Sequence, residues 1–142
     1  MLVPNAPKFI KFALGENVKQ SNWGEEQTIR FPQTRMGVEQ VYVDAFSRAQ
    51  KYMDEKSKGK KDSHRVDLEL EALAEILNKE RFITCHSYIQ SEINMLMKVA
   101  DTFGFHVNTF THILEGYKLA DKMLKHSCMS PPMGSPSGVF GM

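Results

Sequence analysis

The chain has 142 residues, enough for one ordinary domain. With 42% hydrophobic and 25% charged residues it is globular in composition rather than disordered. A formal net charge of +1 argues against nucleic acid or an acidic membrane surface as partner, and no apolar run is long enough to span a bilayer.

In chain order, Phe9-Ile10-Lys11-Phe12-Ala13-Leu14 reads as a buried strand ended by Gly15. Glu16 to Met36 is polar and irregular, and so long an excursion after a strand is often functional. From Gly37 the pattern turns helical, with Val38, Val41, Tyr42, Ala45, Phe46 and Ala49 on one face, until about Lys56. Ser57 to Asp62 is a charged, solvated linker. A second helix covers Val66 to Asn78, with Asp67 favouring its N-terminus. Strand Arg81 to Cys85 follows, then a helix from about Ile89 to Phe103 ended by Gly104. A strand from Phe105 to Thr111 and a helix from about Gly116 to His126 complete the order β–long loop–α–α–β–α–β–α, which predicts a parallel sheet. Ser127 to Met142 has no period of either kind and is rich in Pro and Gly, so it predicts no core element. The two cysteines, Cys85 and Cys128, form no spaced framework and read as free thiols.

The chemistry concentrates at the strand ends. His86 and His112 each follow a short apolar strand and precede a helix, 26 residues apart. In a parallel α/β barrel, consecutive units of this kind bring both imidazoles to the C-terminal mouth, where active sites lie. Neutral imidazoles converging on one point hold a catalytic metal, although a metal needs three or more ligands. The plainer alternative is two polar residues where strands meet water. Lys11 lies inside the first strand: either it snorkels to an end of the sheet, or it aims at the mouth as a base or a metal-bridging carbamate. Lys8 precedes the apolar part of the strand and reads as solvated. Glu115 is placed either to hydrogen-bond the far nitrogen of a ligand histidine or to favour a helix start. Tyr88, two residues after His86, is placed to line a pocket. Arg30 and Arg35 lie in the long loop, where a guanidinium either holds a substrate carboxylate or braces the loop. Three strands cannot close a barrel, and an open three-stranded parallel sheet leaves two exposed edges, so the segment is expected to be part of something larger.

Taken together, Phe9-Ile10-Lys11-Phe12-Ala13-Leu14-Gly15-Glu16-Asn17, Arg30-Phe31-Pro32-Gln33-Thr34-Arg35-Met36-Gly37, Cys85-His86-Ser87-Tyr88 and Thr111-His112-Ile113-Leu114-Glu115-Gly116-Tyr117-Lys118 resemble the amidohydrolase superfamily, in particular its imidazolonepropionase-related and prolidase-like branch. The resemblance runs from about Pro4 to His126. It implies an α/β fold that is part of a (β/α)8 TIM barrel, covering strands four to six with their helices. It also implies one or two divalent metals, usually zinc, that activate water to attack a C–N bond of a small-molecule amide. His86 and His112 match the metal histidines ending the fifth and sixth barrel strands, and Lys11 matches the carboxylated lysine of the fourth. Residues 15–65 become a mouth loop and helical insertion suited to a lid. The family's His-x-His pair and catalytic aspartate have no counterpart here. Residues 1–126 are therefore expected to be a partial barrel, inactive alone, with 127–142 an irregular and frameshifted tail. The alternative is a non-catalytic α/β interaction module or one half of a split barrel, which self-associates or pairs with the remainder. Neither nucleic acid nor membrane is expected as a partner.

Overall fold

The computed structural model describes residues 6–20, 29–58 and 66–128. Strand β1 (Lys8–Ala13) leads into a short helix α1 (Glu16–Lys19) and then the long helix α2 (Arg35–Ser57). Helix α3 (Leu68–Leu77), strand β2 (Arg81–His86), helix α4 (Gln90–Phe103) and strand β3 (Thr109–Thr111) follow. A 3-10 turn over Gly116–Leu119 then opens helix α5 (Ala120–Cys128). The expected tail lies almost wholly outside the described residues, although α5 carries the backbone two residues past His126.

Side chains set the helix starts. Thr34 Oγ1 accepts the Gly37 N–H at 3.0 Å and caps α2. Asp67 Oδ1 caps α3 by accepting from the Glu69 and Leu70 N–H groups at 3.0 and 3.1 Å. Gly104 ends α4 with φ 77, the left-handed turn that glycine adopts without steric cost.

The sheet is parallel, in the order β1-β2-β3. Ala13 pairs with His86, and His86 with Thr111, so all three strands end at one level. Side chains alternate across the sheet. Phe12, Ile83 and Cys85 face the helices and are buried with Leu14, Phe46, Leu96 and Phe105. The Phe46 and Phe105 rings stack at 4.3 Å, and truncating a ring so buried costs about 3–5 kcal/mol. The opposite face carries Phe9, Lys11, Phe82, Thr84 and His86, none of them buried; Phe9 is 60% exposed although its ring meets Phe82 at 5.4 Å. One face is a core and the other is open.

One expectation changes here. The third strand is shorter than its apolar run, because Asn108 Oδ1 takes the Ile83 N–H at 2.8 Å while Phe105 and Val107 are buried without pairing. Helix α2 puts Val38, Phe46 and Ala49 of its apolar stripe into the core, and its N-terminal part lies at the end of β1. Tyr42 ties it there by donating its hydroxyl to the Ala13 carbonyl at 3.0 Å. Residues 21–28 and 59–65 of the expected lid segment lie outside the described residues. Among the described residues no helix is long and apolar enough to cross a membrane.

Candidate functional site

The parallel register builds the site. The Leu14 N–H donates to the His86 carbonyl at 2.9 Å, and the Ser87 N–H to the Thr111 carbonyl at 3.1 Å, so the three strand ends are laced together. At His112 the chain leaves the strand with φ 58, in the left-handed region. The His86 and His112 rings then stand 4.5 Å apart at 47°. Tyr88 meets His86 edge-on at 4.8 Å and 89°, and lies 6.1 Å from His112. The two histidines and the tyrosine expected at the mouth form one aromatic cluster.

His86 Nε2 is buried and has no hydrogen-bond partner. Burial, helped by His112 and then Lys11, holds the His86 pKa below the ordinary imidazole range. A neutral ring with a free lone pair is what a divalent metal binds. Lys11 stands on the same sheet face, its partner Thr84 two residues before His86. Among the described residues no group of three His, Cys, Asp or Glu side chains could hold a metal ion. The described residues therefore supply two imidazole donors at this edge, fewer than the three protein ligands of a catalytic zinc site.

The remaining candidates have other partners. Glu115 Oε2 accepts the Gln90 N–H at 2.9 Å and caps the start of α4, while Lys118 donates to Oε1 at 2.8 Å. Lys118 first, and the Gln90 N–H second, hold this carboxyl below its usual range. Its bonds thus go to a helix end rather than to a ligand histidine. Arg30 is a loop brace, donating to the Val18 carbonyl at 2.7 Å and to Gln20. Lys8 pairs with Glu75 at the far end of the sheet. Burial, with Glu92 adding, pushes the Cys85 thiol up to about 12, so it is no nucleophile at neutral pH.

Two features escaped the sequence reading. Arg35 Nε lies 3.2 Å from Oε1 of Glu92, a carboxylate only 4% exposed in the first turn of α4. Glu92 stands one helical turn before Leu96 on the buried face, and a carboxylate at a core position was the available signal. The second is another histidine pair near the start of β3. His126 Nε2 accepts the Val107 N–H at 3.3 Å, its Nδ1 lies 3.0 Å from Asp101 Oδ1, and its ring is 5.3 Å from that of His106.

No family model and no curated protein matches the chain. A solved structure does: an amidohydrolase from Thermotoga maritima MSB8, 28% identical, with a TM-score of 0.69 over 85% of this chain. The likeness supports an origin in the amidohydrolase superfamily. The chain spans 32% of that protein's length, about a third.

Proposed function

We propose that this chain is the part of a metal-dependent amidohydrolase that carries the paired strand-end histidines, in the imidazolonepropionase-related and prolidase-like branch. Its three strands correspond in this reading to strands four to six of a (β/α)8 barrel, whose other strands would cover the open sheet face. The carrying observation is the pair of imidazoles 4.5 Å apart at adjacent parallel strand ends, one with a buried, unpartnered nitrogen. The 28% identical amidohydrolase supports the superfamily part of this reading, and amidohydrolases are generally metal-dependent.

His86 and His112 would hold a divalent ion, zinc by donor chemistry, with Lys11 in its carbamate form as a further ligand. When bound, the metal polarises the scissile amide carbonyl and makes water a nucleophile at neutral pH. The protein's own contribution is positional. The strand-end hydrogen bonds fix both backbones, and Tyr88 packs edge-on against His86 to restrain its ring. The sequence has no His-x-His pair to complete the ligand set, so the chain alone is expected not to hydrolyse amides.

Isothermal titration with zinc tests this. Weak binding that falls about tenfold or more in either His86→Ala or His112→Ala supports the pair as ligands. Zinc binding equal in wild type and both variants overturns it. A second reading, an interaction module that associates through the open face, draws on the 60% exposed Phe9 beside Phe82. Sedimentation of wild type against Phe9→Lys separates the two, because only the module requires a self-associating wild type.

A further inference from the structure

We infer that His126 is a proton-sensitive latch that fastens the last turn of α5 to the backbone ahead of β3, and that acid releases this turn while the sheet stays folded. The latch lies at the opposite end of the sheet from His86 and His112 and needs neither of them.

The first observation is how α5 is held. Among its described side chains, residues 120–126, only His126 is buried, at 5% exposed, and Met123 is half-buried. Met123 packs on Ile93, Met97 and Leu119 and secures the early part of the helix. The last turn is secured by a histidine instead, since the nearby Leu124 is 58% exposed. An apolar anchor is indifferent to pH, whereas an imidazole is not. The anchor point matters too. Val107 is buried, and its N–H finds an acceptor in this side chain rather than in the sheet ladder.

Two neighbours pull the ring in opposite ways. His126 Nε2 accepts the Val107 N–H at 3.3 Å, so a proton there would set two donors face to face. Nδ1 lies 3.0 Å from Asp101 Oδ1, and Asp101, 60% exposed on α4, attracts a charged ring. A protonated ring therefore keeps Asp101 and loses Val107. It is drawn out to the surface carboxylate, and the last turn of α5 goes with it. Acid favours the released helix because a proton is accommodated on Nε2 only when that nitrogen no longer faces the Val107 N–H.

The other charges nearby do not offset this. The His106 ring is 5.3 Å away, and its Nδ1 is buried without a hydrogen-bond partner, so a proton on one ring opposes a proton on the other. Lys79, in the turn before β2, adds positive charge on the His106 side. On α5 itself Lys122 is engaged with Asn94 at 3.1 Å, and Lys125 is exposed. The release stops short of the strand-end histidines, because Leu119 stays packed on Ile93 and Met97 and Glu115 still caps α4.

The test uses the whole 142-residue chain without metal. Amide hydrogen exchange, corrected for its intrinsic pH dependence, is followed by NMR between about pH 7.5 and pH 5, where histidine titrates. Protection of the Val107 N–H and of the last α5 amides is expected to fall together by about tenfold or more, while Ile83 and Cys85 in β2 keep theirs. The His126 ring resonances should move at the same midpoint. His126→Gln, whose amide oxygen accepts from Val107 but takes no proton, should remove the pH response, and His106→Gln should keep it. Asp101→Asn should move the release to lower pH, because the imidazolium loses its surface partner. Equal loss of protection in β2 means acid unfolding of the whole chain and overturns a local latch. An undiminished response in His126→Gln, or its disappearance in His106→Gln, overturns it as well. If His126→Gln does not fold, the ring and Val107 midpoints of wild type and Asp101→Asn decide: midpoints that shift together support the latch, and midpoints that part overturn it.

Discussion

Among the described residues two histidine pairs stand at opposite ends of one small sheet, and their nitrogens tell them apart. At the start of β3, His126 has both nitrogens engaged: Nε2 accepts from Val107 and Nδ1 faces Asp101. That network assigns the neutral tautomer with the proton on Nδ1. At the C-terminal edge, His86 keeps Nε2 buried and unpartnered. The ring separations are similar, 5.3 and 4.5 Å, so proximity does not separate the pairs. A histidine that completes backbone hydrogen bonds is part of the scaffold. A histidine that leaves a buried ring nitrogen open retains the capacity to bind something else. His106 has a buried, unpartnered Nδ1 as well, but it lies near the N-terminal edge, the end that serves stability in barrels.

The largest expected effect is on folding. His126→Ala removes a buried ring and orphans the Val107 N–H, which should cost about 2–3 kcal/mol in urea denaturation. His86→Ala should cost under about 1 kcal/mol by the same measurement, since no protein hydrogen bond at Nε2 is lost. Equal losses would erase the distinction between the pairs.

Next comes ligand-linked stability. Zinc at ten times its Kd should stabilise wild type by about 1.4 kcal/mol. The increment should fall to about 0.4 kcal/mol or less in His86→Ala and persist in His126→Gln, as followed by thermal unfolding.

The pH response sharpens the comparison further. Burial first, then His126 and Lys79, depress the His106 pKa, while Asp101 opposes them. The unfolded chain therefore binds the His106 proton more readily than the folded one. The stability tied to this group is intact above about pH 6.5, the unfolded value, and is lost as the pH falls through the folded value. Urea midpoints between pH 7.5 and 5 should drop in wild type and drop less in His106→Gln.

The smallest effect is at Tyr88. Tyr88→Phe keeps the edge contact with His86 and should change stability by less than about 0.5 kcal/mol, with zinc affinity unchanged in the same titration.

Much of the fold was legible because its punctuation is local. Gly104 stops α4, Asp67 starts α3, and the apolar stripes of α2 and α4 name their buried faces. The third strand was overdrawn because Phe105 and Val107 are apolar for packing, a signal that does not distinguish pairing from burial. Helix α1 was missed, being four residues inside a polar loop. At the site, the level strand ends were readable from the repeated unit, but the approach of the rings was not. It depends on the left-handed backbone at His112, which no spacing rule encodes. The Arg35–Glu92 contact joins residues 57 positions apart, and Glu115 turned out to cap a helix from 25 positions away. Such partners are chosen by tertiary packing.

The backbone at His112 also bears on how this sequence can drift. With φ 58, the position suits glycine or asparagine better than histidine. Replacing His112 with glycine should relieve up to about 1 kcal/mol. Selection for stability alone therefore pushes the imidazole out. A lineage freed from the need for this ring would gain robustness by losing it. Keeping histidine here works against the local backbone preference.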